Sequence, residues 1–129
     1  MSDDFYIEKA DFIDVFKFVR STDEAVEAWA QQLDETITNT AKSEKFYILL
    51  DVRGEEVTFS AMAREESKRV FSTHHKRKGY IAMLFERRTS PYFARIFFST
   101  LGKLGFKLKY FHQEESAYAW LNQMADASK

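Results

Sequence analysis

Histidine is the side chain that most readily moves protons or holds a metal near neutral pH, and this chain has three: His74, His75 and His112. Adjacent residues on a helix point about 100° apart, so His74 and His75 do not converge on one ion. The run Lys76-Arg77-Lys78 beside them repels a cation, and His112 stands alone. No metal site and no catalytic base is expected from these three. With no cysteine in the chain, thiolate ligands, disulfides and cysteine nucleophiles are excluded. The four glycines are scattered, so neither a Gly-x-Ser-x-Gly elbow nor a phosphate-binding glycine loop is present. Asp51, closing the apolar run Phe46-Tyr47-Ile48-Leu49-Leu50, is the best isolated carboxylate. The reading it favours is a turn residue that accepts backbone N–H bonds and pairs with Arg53. No cofactor is called for, and an enzyme is the weakest reading, because no base–nucleophile pair can be named.

The constellation best suited to binding is Arg87-Arg88-Thr89-Ser90-Pro91. Serine as cap and proline at the first helical position open a helix whose free N–H groups, with two guanidinium groups beside them, make an anion site. In open α/β sheets ligands collect beyond the carboxyl ends of the strands. Arg20, Ser21, Asp51, Arg53 and His112 fall at the same end. The expected ligand-binding set is Arg53, Arg87, Arg88 and Ser90, for a small anion or a lipid. Tyr92, Phe93, Ile96, Phe97, Leu101 and Leu104 then give a broad apolar helical face with few charges. Such a helix is either buried or a docking surface. Tyr92, Phe93, Ile96 and Phe97 are the expected interface residues, for a protein partner or a second copy.

The elements that must position these residues follow from periodicity. Phe5 to Glu8 reads as a strand, Lys9-Ala10-Asp11 as a turn, and Phe12 to Val19 as a second strand folded back on the first. Thr22 or Ser21 caps a helix carrying Ala25, Ala28, Trp29, Leu33 and Ile37 at helical spacing, which frays near Thr38-Asn39-Thr40. Phe46 to Leu50 is a strand apolar on both faces, as in a parallel sheet. A helix from Ser60 to about His75 follows, ended by late positive charge and Gly79. Tyr80 to Phe85 and Phe106 to Phe111 are further strands, and Glu114 to Ala125 is the last helix, with Ala117, Trp120, Leu121 and Met124 on one side. The order is ββαβαβαβα. It predicts a mostly parallel five-stranded sheet with an antiparallel edge strand and four helices, as a single domain over residues 1–129.

Composition sets outer bounds. Apolar residues make up 45% and aromatics 16% of the 129 residues, enough for a true core. The acidic start Met1-Ser2-Asp3-Asp4 does not resemble a secretory signal, and no window approaches the roughly 18 consecutive apolar residues of a membrane span. A cytoplasmic chain that is not an integral membrane protein is expected. Residues 1–66 hold 7 Lys/Arg against 16 Asp/Glu, and residues 67–129 hold 12 against 4. Interleaved strands are expected to mix these charges in space; the alternative is a molecule with an acidic and a basic face. The sequence pI near 6.3 argues against a nucleic-acid binder.

Three segments resemble one family. Tyr47-Ile48-Leu49-Leu50-Asp51-Val52-Arg53-Gly54 looks like the central strand of SpoIIAA-like domains in the STAS/Sec14-like group. Tyr80-Ile81-Ala82-Met83-Leu84-Phe85 is similar to the strand that follows it. Phe111, with Glu114-Glu115-Ser116-Ala117-Tyr118-Ala119-Trp120-Leu121, resembles the closing helix. The resemblance implies a STAS-like α/β fold and a non-catalytic regulatory or protein-interaction role. The alternative is a small-anion or lipid module at the strand ends. The founding members are switched by phosphorylation of a serine in an Asp-Ser-Ser/Thr-Gly turn. Here that turn is replaced by Gly54-Glu55-Glu56-Val57-Thr58-Phe59-Ser60-Ala61, whose acids would repel a phosphate, so the switch is not expected.

Overall fold

The computed structural model describes residues 4–54, 56–86, 95, 99 and 103–127. Their elements are β1 (Phe5–Ala10), β2 (Ile13–Phe18), α1 (Asp23–Asn39), β3 (Phe46–Asp51), α2 (Ala61–Thr73), β4 (Gly79–Leu84), β5 (Lys107–Phe111) and α3 (Glu114–Ala127). The expected count of four helices is corrected to three among the described residues. The helix expected from Ser90-Pro91 through Leu104 falls mostly outside them. The strand and helix order otherwise follows the periodicity.

The five strands lie in the order β1-β2-β3-β4-β5. β1 and β2 are antiparallel, with Phe5 opposite Phe18 and Ala10 opposite Ile13. The pairs β2–β3, β3–β4 and β4–β5 are parallel. The first turn falls later than the sequence suggests, at Asp11-Phe12. Asp11 takes φ 60°, a left-handed conformation that aspartate tolerates better than most residues, and so Lys9 and Ala10 stay in β1.

Strand periodicity sorts side chains onto two faces. On one, Phe16, Phe18, Phe46, Ile48, Leu50, Ile81 and Met83 pack beneath α1 and α2 in the larger core. On the other, Ile13, Val15, Leu49 and Ala82 meet Ala117 and Leu121 of α3 in a smaller one. Each β-α-β crossover through α1 and α2 thus lands on one face, and the final helix covers the opposite one. Gly79 is needed where it stands: a β-carbon there would come within 2.5 Å of the Phe46 ring. Helix starts follow the expected chemistry. The Thr22 hydroxyl accepts from Ala25 N–H, ahead of Asp23 and Glu24, and the Ser60 hydroxyl accepts from Ala63 N–H.

Candidate functional site

The carboxyl end of β3 lies centrally in the sheet, so its last residue is shielded by strands on both sides and by α3 above. Asp51 is accordingly only 4% exposed. Burying a carboxylate without partners costs several kcal/mol, and Arg53, two residues on, supplies them. Asp51 Oδ1 accepts from the Arg53 backbone N–H at 3.1 Å and from its Nε at 3.0 Å, and Oδ2 accepts from Nη2 at 2.8 Å. The same Nη2 lies 3.4 Å from Oε2 of Glu114, in the first turn of α3. Hydrogen bonding to the Asp51 carboxylate is the main cause that raises the Arg53 guanidinium above its ordinary value; burial works against it.

Around this clamp is an open cleft of about 970 Å³ lined by Arg53, His112, Gln113, Glu114, Glu115, Tyr118 and Ala119. Burial raises the Tyr118 phenol, with the charges of Glu114, Glu8 and Asp51 adding to it, so it stays neutral as a hydrogen-bond donor. His112 donates from Nδ1 to the Phe85 carbonyl at 3.3 Å. Of the cleft's polar side chains, Arg53 and Glu114 are held by each other. Asp51 has the turn role read from the sequence, because Arg53 occupies both of its oxygens.

The other expected residues fall as follows. Arg53 and His112 meet at the cleft. Arg20 and Ser21 are tied instead to the loop before α2. Arg20 forms an ion pair with Glu56, and Ser21 Oγ accepts from Thr58 N–H at 2.8 Å. Arg87, Arg88 and Ser90, with Tyr92, Phe93, Ile96 and Phe97, lie outside the described residues. His74 Nε2 pairs with Asp34 at 2.6 Å, joining α2 to α1, while His75 Nδ1 donates to the Ser72 carbonyl. Among the described residues no three His, Asp or Glu side chains converge to hold a metal ion, and no helix is long and apolar enough to cross a membrane.

Glu114 and Tyr118 were not singled out from sequence. The available signal was an acid in the first turn of a helix that starts three residues after a strand end. Charges of both signs stand at each end of the sheet: Lys42, Lys45, Lys76, Arg77 and Lys78 with Asp11, Asp14 and Glu44 at the amino ends of the parallel strands, and Arg20 and Arg53 with Asp51, Glu56, Glu86, Glu114 and Glu115 at the carboxyl ends.

Apolar exposure is concentrated elsewhere. Among the described residues the exposed large apolar side chains are Tyr6 at 46%, Ile7 at 37% and Val19 at 39%. Tyr6 stands opposite Lys17 and Ile7 opposite Phe16, so the two point to opposite faces of the edge strand β1. Val19 follows β2 directly and donates its N–H to Asp4 at 2.8 Å. One edge of the sheet therefore offers apolar side chains on both faces, and among the described residues no strand pairs with the backbone between them.

A family model described as SpoIIAA-like matches residues 13–122. No curated protein matches the chain.

Proposed function

The chain belongs to the SpoIIAA-like family, and on that premise we propose that it is a non-catalytic regulatory domain that acts by protein contact in the cytoplasm. The observation that carries this reading is the concentration of exposed apolar side chains at β1. Proteins usually blunt a sheet edge with charge or cover it, because unpaired N–H and C=O groups recruit other strands. Here the edge strand opens on Phe5-Tyr6-Ile7, and the charges Glu8 and Lys9 follow in its second half. Lys9 is already engaged by Asp14 at 3.0 Å. An apolar helix face at Tyr92, Phe93, Ile96 and Phe97 is a second contact in the same proposal.

The test is site-specific photo-crosslinking in cells, with a benzophenone side chain at position 6, 19 or 65 in turn. Positions 6 and 19 should each give one discrete adduct, and Glu65, exposed on α2, should give none. Absence of adducts at both 6 and 19 would overturn the reading.

The open cleft supports a second reading, a small anion or lipid headgroup at the strand ends, held by Arg53 with Arg87, Arg88 and Ser90. It asks Arg53 to share a guanidinium that Asp51 and Glu114 already use.

A further inference from the structure

We propose that the partner at β1 is a second copy of this chain, joined edge to edge in an antiparallel register centred on Ile7; this rests on the interaction reading above and names its occupant. The hydrogen-bonding phase of β1 comes first. In an antiparallel pair, facing residues alternate between those that exchange both backbone bonds and those that exchange none. Val19 N–H donates to Asp4 C=O, so Asp4 and Val19 are a bonded pair. By the register, Tyr6 with Lys17, Glu8 with Val15 and Ala10 with Ile13 are bonded pairs too. Phe5, Ile7 and Lys9 therefore turn their N–H and C=O groups to the open edge. No strand lies beyond β1 among the described residues.

Symmetry then limits the pairing. Two antiparallel edges of identical sheets are related by a two-fold axis perpendicular to the sheet, which keeps each face on its own side and passes through one residue that faces itself. Charge selects that residue, since like charges directly opposite are destabilising. An axis at Tyr6 sets Asp4 against Glu8 of the second copy. An axis at Glu8 or at Lys9 sets that residue against itself. An axis at Phe5 overlaps only residues 4–6 among the described residues. At Ile7 the whole of residues 4–10 overlaps and no like charges meet: Phe5 faces Lys9, Tyr6 faces Glu8 and Ile7 faces Ile7. Each bonded pair exchanges two hydrogen bonds, so three outward residues per copy make roughly six. On one face the apolar row Phe16–Ile7 then continues into Ile7–Phe16 of the second copy, and the exposed part of Ile7 is covered. The product is a continuous ten-stranded sheet.

The chain has no cysteine, so single introduced thiols report the register without background. Light scattering should give about twice the 15.2 kDa chain mass. Ile7→Cys should be joined to itself by a short bifunctional maleimide, and Glu65→Cys should not. Ile7→Lys places like charges at the axis and should give the single-chain mass with an unchanged far-ultraviolet circular dichroism spectrum. A monomer at concentrations up to about 1 mM, where even a dimer with a Kd of about 1 mM would register, overturns self-pairing. So does a dimer that persists in Ile7→Lys. If the monomer still gives the position-6 adduct in cells, with a different protein, the interaction reading stands without self-pairing; if both experiments are negative, both fall.

Discussion

The carboxyl end of β3 and the outer edge of β1 solve opposite problems. At the first, a carboxylate is buried and both of its oxygens are taken up: Asp51 is held by the backbone and side chain of Arg53, which is also steadied by Glu114. At the second, Tyr6 and Ile7 are exposed beside backbone groups that no strand among the described residues takes up. Satisfied polar groups in the interior hold the molecule's own shape. Unsatisfied apolar and backbone groups at the surface are what a partner can cover. The clamp looks more like chemistry, yet the plainer edge has more left to offer another molecule.

Breaking the clamp has the largest expected effect. Asp51→Ala leaves Arg53 without its main partner at a half-buried position, and removes the bond that fixes the turn after β3. Loss of one partner of a buried pair costs about 3–5 kcal/mol, and the partial exposure of Arg53 with its contact to Glu114 brings this to about 2–3 kcal/mol. Urea unfolding should show that loss, with the association state of the folded protein unchanged. A loss of both together would mean that the two regions are coupled.

A smaller effect decides whether the carboxyl end is also a binding region. If sulfate or phosphate binds there, a concentration ten times its Kd stabilises the fold by about 1.4 kcal/mol. Arg88→Glu should abolish that stabilisation in thermal melts while leaving the anion-free melting temperature in place. Equal stabilisation in wild type and variant removes the anion reading and leaves β1 as the binding region.

The smallest effect is at alkaline pH. Burial raises both Tyr110 and Tyr118 above the usual phenol value, the former against the pull of Arg95 and the latter with help from Glu114. A raised phenol means that the folded state resists ionisation. The stability this contributes is present below the unfolded value near 10 and is lost as pH rises beyond it. Ultraviolet titration of the six tyrosines should show late-ionising groups that disappear in Tyr110→Phe and Tyr118→Phe.

Much of this was legible before any coordinates. Local rules carry the elements: Thr22 and Ser60 cap where a hydroxyl precedes an apolar-periodic run, and Phe46 to Leu50 reads as a doubly buried strand because it has no polar alternation. Asp51 and Arg53 are two residues apart, so their pairing is also local. The first turn was misplaced because Lys9 and Ala10 carry no strand signal, while the left-handed geometry that makes the turn belongs to Asp11. The count of four helices rested on the apolar spacing of Tyr92 to Leu104, and three are found among the described residues.

The sequence by itself determined the strands, the helices, their order and the parallel middle of the sheet, since periodicity and capping act over a few residues. The tertiary structure decided that Glu114 reaches Arg53 from 61 residues away and that Tyr6 and Ile7 remain exposed. Those outcomes depend on which strand ends at an edge and which face the last helix covers. Burial is a property of neighbours brought together by folding, and no local pattern in Phe5 to Ala10 states what will lie beside it.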